Sequence, residues 1–595
     1  MEDREREPGG ERAAQAPPRL LLCGGPIITM DAARPRVDAL GVSGGLISAW
    51  GSEQTVAAAL GEPFERVELD GAALLPGFID AHHHYCLAAL DRRAPDLHCL
   101  PGQPLAALIA RLKPFVDTCV TPWVRAQGYD PHKLSERRAP RREELDEICP
   151  QRPLLLMAYS CHEGVLNSAG LELMGFTAAS PDPPGGRLGR RRGRLTGEVI
   201  EAPFFAAEAR SRDALLAHAG DAWLAECLAH GRALLRAGIV RVGDAAVPPA
   251  IDALYERAVA AGMLPVKVHR MPVGADSLIV ERFAAPSGSG PRRAPIGPAK
   301  LFLDGADQCA ICASPLHLIG SLTAVLRRAL GGGGLAALRA SARLGSGWRR
   351  DRGGHLHHGM LFHSHQQIAT TITEAAAVGA QVAQHALGNE AITVAVAALE
   401  AAGAALSDLP GAPRLEHAMI LDSELAARIA AVGAIAVVNP HFVFDIGDEL
   451  AATPLPGGLR ALALRTLQSA GVELAGGSDY PVSSYDVLAA LRAGSTRMTC
   501  SGDCFEAQEA VDVASLLRAY TAGGAHALGV FERAGSLAPG KEADLVVLSG
   551  DPLACSPEAL TSLRILRTYV DGHLAYAAPG AAQPGGATGE RQSRS

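Results

Sequence analysis

The chain has 595 residues and carries 55 Lys and Arg against 63 Asp and Glu, a formal net charge of −8. With 48% apolar residues and no strongly basic region, the composition excludes a disordered chain and argues against nucleic acid as a partner. The length exceeds what one compact core usually requires, so we expect two or three structural units.

Both ends of the chain have the composition of mobile tails. Residues 1–17 and about 578–595 are rich in charge, Gly, Pro, Gln and Ser, without an apolar period. The start lacks the basic-then-apolar order of a secretory signal, and no uninterrupted apolar run approaches the ~20 residues of a membrane-spanning helix. We therefore expect a cytoplasmic protein without a membrane partner, whose 12 cysteines stay mostly reduced.

Strand patterns near both ends predict one small β unit. Short apolar runs separated by Gly-containing turns occupy residues 18–74, and further runs occupy residues 531–577, where Asp571 and Gly572 mark a hairpin turn. We expect the two segments to come together as a small β-sandwich domain.

The segment 75–530 alternates short apolar runs with longer Ala- and Leu-rich periodic stretches. This pattern is typical of repeated βα units and a parallel sheet. We predict the α/β class and a (β/α)8 TIM-type barrel with insertions at about 86–230 and 319–358, and catalytic groups at the C-terminal ends of strands. The predicted strands are Leu74–Ile79, Leu154–Ala158, Ile239–Gly243, Val266–His269, Lys300–Leu303, Ala380–Gln384, Ala434–Val438 and Val472–Ala475.

An apolar strand runs directly into three consecutive histidines. Residues 74–84 read Leu-Leu-Pro-Gly-Phe-Ile-Asp-Ala-His-His-His. Because alternate residues of a strand point to the same side, His82 and His84 share a face and His83 points elsewhere. Two neutral imidazoles on one face are suitable ligands for a zinc-like ion. We expect His82 and His84 to bind metal.

This segment resembles the first-strand motif of the amidohydrolase superfamily, and later segments resemble its family 3 branch, which includes N-substituted formamide deformylases. The similarity extends over roughly residues 19–576 and depends on several motifs in a fixed order. The later motifs are Ala299–Gly305, Gln384–Gly388, Arg414–Ala418, Gly477–Val482 and Gly535–Val546.

The resemblance implies a set of metal ligands: His82, His84, Lys300, His385, His417 and Asp479. A similar lysine in the family is carbamylated and bridges two metals, whereas the alternative for Lys300 is an ordinary ion-paired lysine. The alternative for His385 and His417 is a core or capping histidine. The expected cofactor is one or two divalent ions, zinc by default for a His-rich site, with manganese or iron as alternatives.

Asp479 and His162 are the predicted catalytic residues. Asp479 would accept a proton from the attacking water and return it to the leaving group, although a helix N-cap is the structural alternative. His162 resembles a substrate-side histidine that would donate a hydrogen bond to the developing oxyanion, and its alternative is loop stabilisation. Glu201 resembles another family position, to which we assign no role.

Three further features carry weaker signals: we interpret the arginine run as a solvated loop rather than an anion site, and we expect neither the cysteine pair nor the His-rich loop to bind metal. Arg190–Arg192 is a cationic run in a Pro- and Gly-rich segment, and Cys309 and Cys312 have zinc-like spacing without a second pair. A His-rich tract lies in a Gly- and Arg-rich region and comprises His355, His357, His358, His363 and His365.

These residues favour a metal-dependent hydrolase that cleaves a non-peptide carbon–nitrogen bond, in an amide, an N-formyl group or a cyclic amide, by metal-activated water. The alternatives are a metal-dependent deaminase of an aminated ring and a catalytically decayed metal-binding protein. Asn389 stands where relatives usually carry aspartate, a change expected to affect substrate selection. The expected partner is a small-molecule substrate, and self-association as a homo-oligomer stays open.

Overall fold

A computed structural model describes residues 18–274, 283, 285–306, 309–315, 348–452 and 455–580. The predicted tails, apart from residues 578–580, and most of the predicted insertion at 319–358 lie outside these residues. The described chain is a mixture of helices and strands, so the α/β class is confirmed.

The two β-rich segments near the chain ends contribute to one eight-stranded sheet. Leu20–Ile28 pairs antiparallel with Arg36–Ser43 and parallel with Glu65–Glu68. Ala73–Pro76 pairs antiparallel with Leu545–Leu548 and so joins the two segments. A division of this unit into two sandwich layers stays a prediction. The remaining strands of the sheet are Leu46–Gly51, Ile565–Val570 and His573–Ala577.

Eight parallel strands form the centre of the chain, and we number them β1–β8. Strands β1–β3 make one sheet and β4–β8 another, each in chain order, as consecutive βα units would produce. Backbone hydrogen bonds connect the two sheets on both sides, from Gly297 N to Arg270 O at 2.6 Å and from Asp479 N to His82 O at 2.8 Å. The strands are β1 Phe78–His83, β2 Ile239–Val247, β3 Lys267–Pro272, β4 Ala299–Phe302, β5 Val382–Ala386, β6 Arg414–His417, β7 Ile435–Val438 and β8 Leu474–Gly476.

The assignment of Leu154–Ala158 to this parallel set is wrong. That strand pairs parallel with Val124–Tyr129 and antiparallel with Glu163–Leu166. The five-stranded sheet that they form is completed by Gly186–Arg191 and Arg194–Glu201. The predicted insertion at about 86–230 therefore contains a sheet of its own, packed on its own apolar cluster.

Strand β6 is absent from the strands that apolar runs alone predict. Its sequence, Arg-Leu-Glu-His, is mostly charged or polar and lacks the apolar run that marks a buried strand. All four residues are nevertheless buried. Arg414 and Glu416 neutralise each other within the strand, so a polar sequence occupies an interior position.

Two small sheets complete the described strands. Ile311–Ala313, Leu356–His358 and Arg349–Arg350 form one, and Ile420–Leu421 pairs with Arg460–Ala461 in the other.

Helices surround the strands. The α-helices are Glu53–Leu60, Tyr85–Asp91, Leu105–Thr118, Arg142–Asp146, Ser168–Leu173, Ala202–Arg236, Pro249–Ala260, His365–Ala377, Asn389–Ala402, Ser423–Ala431, Phe442–Ala452, Leu464–Ser469, Val487–Thr496, Val513–Arg518 and Gly524–Ala527. Shorter helical turns lie at Gly403–Asp408, Ala507–Glu509, Ala519–Gly523 and Pro557–Ser562.

One helical stretch, Asn389–Asp408, is long and apolar enough by composition to cross a membrane, which sequence analysis did not anticipate. Its side chains at Ile392, Val396 and Leu399 are fully buried in the main core beside the parallel strands. This packing is that of a core helix in a folded domain.

A buried ion network connects the eight-stranded sheet to β3. The Lys267 ammonium lies 2.6 Å from Glu542 Oε2, 2.7 Å from Asp544 Oδ2 and 2.8 Å from Asp571 Oδ1. Arg241 on β2 also donates to Glu542, at 2.6 Å. The three carboxylates approach one another closely enough to hold an ion, but the lysine ammonium already lies among them.

Replacing this lysine should destabilise the fold. Lys267→Met removes the cation that contacts three largely buried carboxylates, so we expect a loss of about 3–5 kcal/mol in the free energy of unfolding, measured by urea denaturation. The matched change Arg257→Met breaks an exposed ion pair with Asp221 and should have little effect. Equal stability of the two variants would contradict this account of the network.

Candidate functional site

Side chains from five of the parallel strands and their C-terminal ends meet in one place. The imidazole ring of His82 has its centre 5.4 Å from that of His84 and 4.7 Å from that of His417, which in turn lies 4.7 Å from His385. Lys300 Nζ is 3.3 Å from His82 Nε2. Asp479 joins them after β8, so all six residues predicted to bind metal are brought together.

His82, His84 and Asp479 form the tightest part of this cluster. Asp479 Oδ1 lies 3.2 Å from His82 Nε2 and 3.0 Å from His84 Nε2. One ligand atom from each of the three residues lies within 4.8 Å of the others. Two imidazole nitrogens and a carboxylate oxygen at this spacing form a donor set that suits a divalent cation such as zinc.

A buried carboxylate orients His82. Glu416 Oε2 lies 2.5 Å from His82 Nδ1, so the Nδ1–H donates to Glu416 and Nε2 is the ring nitrogen that faces the cluster. His82 Nε2 and Asp479 Oδ1 lie 3.2 Å apart, where one bound cation could contact both atoms. Burial opposes ionisation of Glu416, but Arg414 outweighs it and holds the pKa of that carboxyl far below its usual range.

His385 and His417 are buried imidazoles that are neutral at pH 7 and could bind a metal. Burial lowers the pKa of His417 to about 3 and lowers that of His385 well below its usual value. His417 Nδ1 donates to Asn439 Oδ1 at 2.8 Å, which leaves its Nε2 lone pair free of that bond. His385 Nε2 is buried without a hydrogen-bond partner among the described residues. Neutral imidazoles with available nitrogens fit a metal site.

Lys300 is fully buried on β4. Burial lowers the pKa of its ammonium to about 8, against the opposing effect of the Glu416 and Asp479 carboxylates. Within the described part of the chain, no carboxylate lies within ion-pair distance of its Nζ, which instead faces His82 and the ring of Phe302. The alternative of a directly ion-paired lysine is therefore not observed.

The backbone fixes Asp479 against β1. Its N–H donates to the His82 carbonyl, and its φ of +58° is a left-handed conformation that Asp adopts more readily than most residues. Burial alone would raise the pKa of Asp479, but His82 and the other histidines hold it well below the usual value. Asp479 is therefore a carboxylate at neutral pH, and it does not serve as a helix N-cap.

His162 is paired with a buried glutamate. Its Nδ1 lies 2.8 Å from Glu201 Oε2, and its ring stacks on His385 with 5.2 Å between centres. Burial lowers the pKa of His162, but Glu201 outweighs it and leaves the pKa above its ordinary value. Sequence analysis had noted Glu201 without a role. A side chain at Gly305 would come within 2.1 Å of the Glu201 carboxylate, so that glycine leaves room for the pair.

The remaining sequence signals lie outside the cluster. His83 points away as predicted and contacts Asp80 and His230, each at 2.9 Å. Asn389 makes two hydrogen bonds with the backbone of Cys312 and so fixes the neighbouring loop.

The weaker signals do not join the cluster either, and their interpretation as loops is partly wrong: Arg190 and Arg191 end the strand Gly186–Arg191, and His357 and His358 lie on the strand Leu356–His358. Among the described residues, neither Cys309 nor Cys312 belongs to a group that could hold an ion. Arg190 pairs with Asp182, and His357 contacts Glu390 Oε1 at 2.9 Å.

An open cavity lies over the cluster and has a volume of about 720 Å³, which includes open solvent. The predicted ligands and His162 belong to its lining. The rest of the wall is part apolar and part charged, and sequence analysis had identified none of it. It includes Leu87, Met157, Phe204, Phe205, Asp91, Arg125, Glu208 and Arg212.

The orientation of His82 by Glu416 can be tested directly. Glu416→Gln keeps the shape of the side chain but removes the charge that raises the basicity of His82, so metal affinity should fall about 10–100-fold. Competition with a chelator measures this on protein whose folding is checked by circular dichroism. The matched change Glu424→Gln, at an exposed position of the helix after β6, should leave the affinity unchanged. Equal affinity in the two variants would reject the role of Glu416.

Comparisons with known proteins agree with the geometry. The sequence model of the family described as "Amidohydrolase family" matches residues 65–576. The N-substituted formamide deformylase of Arthrobacter pascens is 32% identical over 564 residues, which cover 94% of this chain and 98% of that protein.

Two solved structures resemble the chain over most of its length. Both are titled uncharacterised metal-dependent hydrolases. The one from Pyrococcus horikoshii OT3 has a TM-score of 0.64 and 19% identity, over 91% of this chain and 99% of the other. The one from Pyrococcus furiosus has a TM-score of 0.62 and 23% identity, over 90% and 100%. These likenesses show a shared fold. Together with the match to the family and to the deformylase, they complete the identification: the chain belongs to the amidohydrolase family and is a hydrolase.

Proposed function

We propose that this hydrolase cleaves the carbon–nitrogen bond of an amide, an N-formyl group or a cyclic amide of a small molecule, with a divalent metal and water. The observation that carries the proposal is the cluster of His82, His84 and Asp479, in which one ligand atom of each residue lies within 4.8 Å of the others. The similar deformylase of Arthrobacter pascens, whose name describes hydrolysis of N-substituted formamides, supports this choice of bond.

The strand order supports a closed (β/α)8 barrel as the frame of this site. Eight parallel strands follow one another in chain order across the two sheets, and backbone hydrogen bonds link the sheets on both sides. A barrel would place the ends of β1, β5, β6 and β8 around one mouth, where enzymes of this architecture carry out their chemistry.

The metal would be held by His82, His84, Lys300, His385, His417 and Asp479. Zinc is the expected ion because imidazole and carboxylate ligands dominate, and six ligands are enough for one ion or two. The bound ion supplies a lowered water pKa and a polarised substrate carbonyl.

Lys300 is proposed to act as a carbamate. A fully buried lysine without a carboxylate partner is unfavourable as a free ammonium. The ammonium first loses a proton. The neutral amine then attacks the carbon of carbon dioxide, so that an N–C bond forms as one C=O π bond opens and a second proton leaves, which gives an anion with two oxygen ligands. Those oxygens would extend toward the same cluster as His82 Nε2, which lies 3.3 Å from the lysine nitrogen.

Asp479 is proposed to move the proton. Its ionised carboxylate accepts a proton from the water as the water attacks the carbonyl carbon, and then gives that proton to the leaving nitrogen. Each proton transfer uses a carboxylate oxygen beside His82 and His84.

His162 is proposed to stabilise the oxygen of the attacked carbonyl. Its Nδ1 is held by Glu201, so its Nε2 is the nitrogen available to the cavity. When the ring is protonated, as its raised pKa favours, Nε2–H donates a hydrogen bond to the negative oxygen that develops during attack.

Metal analysis followed by product identification tests this function. Protein purified without added metal is analysed for its metals, and then assayed on N-formyl amines, acylated amino acids and cyclic amides. Release of formate or another acid, dependent on metal, supports the proposal. Release of ammonia from aminated rings alone would indicate the deaminase alternative, and no metal-dependent turnover on any of these compounds would favour the decayed protein.

Lys300→Ala should remove bound metal and most activity, because both carbamate oxygens are lost. Added short-chain carboxylates should restore part of the activity. In the wild-type protein, ¹³C-labelled bicarbonate should give a carbamate signal by nuclear magnetic resonance that is absent from Lys300→Ala. The exposed control Lys113→Ala should keep the signal, and its absence from wild-type protein loaded with metal would reject the carbamate.

Asp479→Asn should separate proton transfer from folding. The amide preserves the shape and some metal affinity but cannot accept and return the proton. We expect turnover to fall by about 10²–10⁴-fold, with a smaller effect on KM. A folded, metal-loaded Asp479→Asn protein with nearly normal turnover would move the proton transfer to another residue, such as His162.

A further inference from the structure

Besides nitrogens of His84 and His385, two buried polar atoms of the cavity-lining residues have no hydrogen-bond partner among the described residues. They are the Ser160 hydroxyl oxygen and Arg212 Nε. Both side chains line the cavity, and both residues are more than nine-tenths buried. Arg212 Nε forms an ion pair with Asp213, whose Oδ1 lies 3.4 Å away without hydrogen-bond geometry. The Asp213 side chain is mostly exposed. A buried donor in this state is costly unless a ligand or water satisfies it.

The neighbouring charges already satisfy one another. Arg125 makes a two-bond contact with Asp91, at 3.0 and 2.9 Å, and also donates to Glu208. Arg212 donates through Nη1 to the other oxygen of Glu208, at 2.5 Å. Two guanidinium groups therefore face two carboxylates, and this part of the cavity has no net charge. A charged ligand group would disturb that balance, whereas an uncharged oxygen would not.

The same cavity also has apolar lining. Leu87, Met157, Phe204 and Phe205 contribute to it. Burying an apolar body there is favourable and needs no polar partner. A planar aromatic ring suits the two phenylalanine rings, whose centres are 5.6 Å apart.

We propose that the substrate carries an uncharged oxygen acceptor, such as a ketone or amide carbonyl, on the apolar body beyond the scissile bond, and that Ser160 and Arg212 recognise this oxygen. This inference rests on the proposed function and extends it. It gives the substrate three parts in order: the bond that is cleaved over the metal ligands, an apolar or aromatic body, and a neutral acceptor.

Calorimetry on the zinc-loaded enzyme tests the inference with ligands that it cannot hydrolyse. The ligands are three phenylacetates. Each presents its acetate carboxylate to the metal, and the three differ only in a planar para substituent of similar size. Acetyl provides a neutral oxygen, isopropenyl replaces that oxygen with a methylene group, and carboxylate provides a charged one. We expect the acetyl compound to bind about tenfold more tightly than the isopropenyl compound, and the carboxylate compound to bind no more tightly than the acetyl one.

Variants assign the preference to the two residues. Arg212→Lys keeps a cation for Glu208 but has no Nε–H, and Ser160→Ala removes only the hydroxyl. Each should reduce the preference for acetyl over isopropenyl at least threefold. The control Arg210→Lys changes an exposed arginine on the same helix and should keep it. Thermal unfolding shows whether each variant is folded.

Any of three results would overturn the inference. They are equal binding of the acetyl and isopropenyl compounds, an acetyl preference that both variants retain, and tightest binding of the carboxylate compound. The proposed function is tested separately, by measuring turnover of the corresponding para-substituted N-benzylformamides. If the acetyl preference depends on Arg212 and Ser160 but no amide is hydrolysed, the binding site stands and the proposed function falls.

Discussion

The site depends on one buried ion pair. Arg414 donates two hydrogen bonds, both of 2.9 Å, to the Glu416 carboxylate, and Glu416 in turn accepts from His82. Without Arg414, a fully buried carboxylate would take up a proton and lose its hold on the Nδ1–H of His82. The ion pair therefore determines that His82 turns its Nε2 toward the cluster. The other ligands gather around that nitrogen.

The same contacts that join the strands also assemble the site. The Asp479 N–H donates to the backbone of His82, so one hydrogen bond both connects β8 to β1 and sets the carboxylate beside two imidazoles. Asp304 plays a comparable part after β4. It is fully buried and accepts three backbone N–H groups, two of them from Leu387 and Gly388, and so fixes the loop that follows His385. Precise placement of the ligands is thus a property of the strand ends.

The residues of the candidate metal site could be predicted from the sequence because their motifs are local. Alternation along a strand put His82 and His84 on one face, and the resemblance to the amidohydrolase family supplied the rest. The supporting residues were missed for physical reasons. Glu416 beside Arg414 suggests an ordinary ion pair, and its contact with His82 spans 334 residues of sequence. Leu154–Ala158 has the apolar composition of a barrel strand, but composition does not specify which sheet a strand joins. The cavity wall comes from helices and loops whose sequences carry no code for a substrate.

The central claim is that His82 is a metal ligand and that its neighbour His83 is not. Elemental analysis of purified wild-type, His82→Ala and His83→Ala proteins, with turnover measured on the same samples, tests it most directly. The account predicts that His82→Ala loses metal and hydrolysis together. His83→Ala should keep its metal but be less stable, because buried His230 loses its hydrogen-bond partner and buried Asp80 loses one of several hydrogen bonds. Full metal content and normal turnover in His82→Ala would contradict the account.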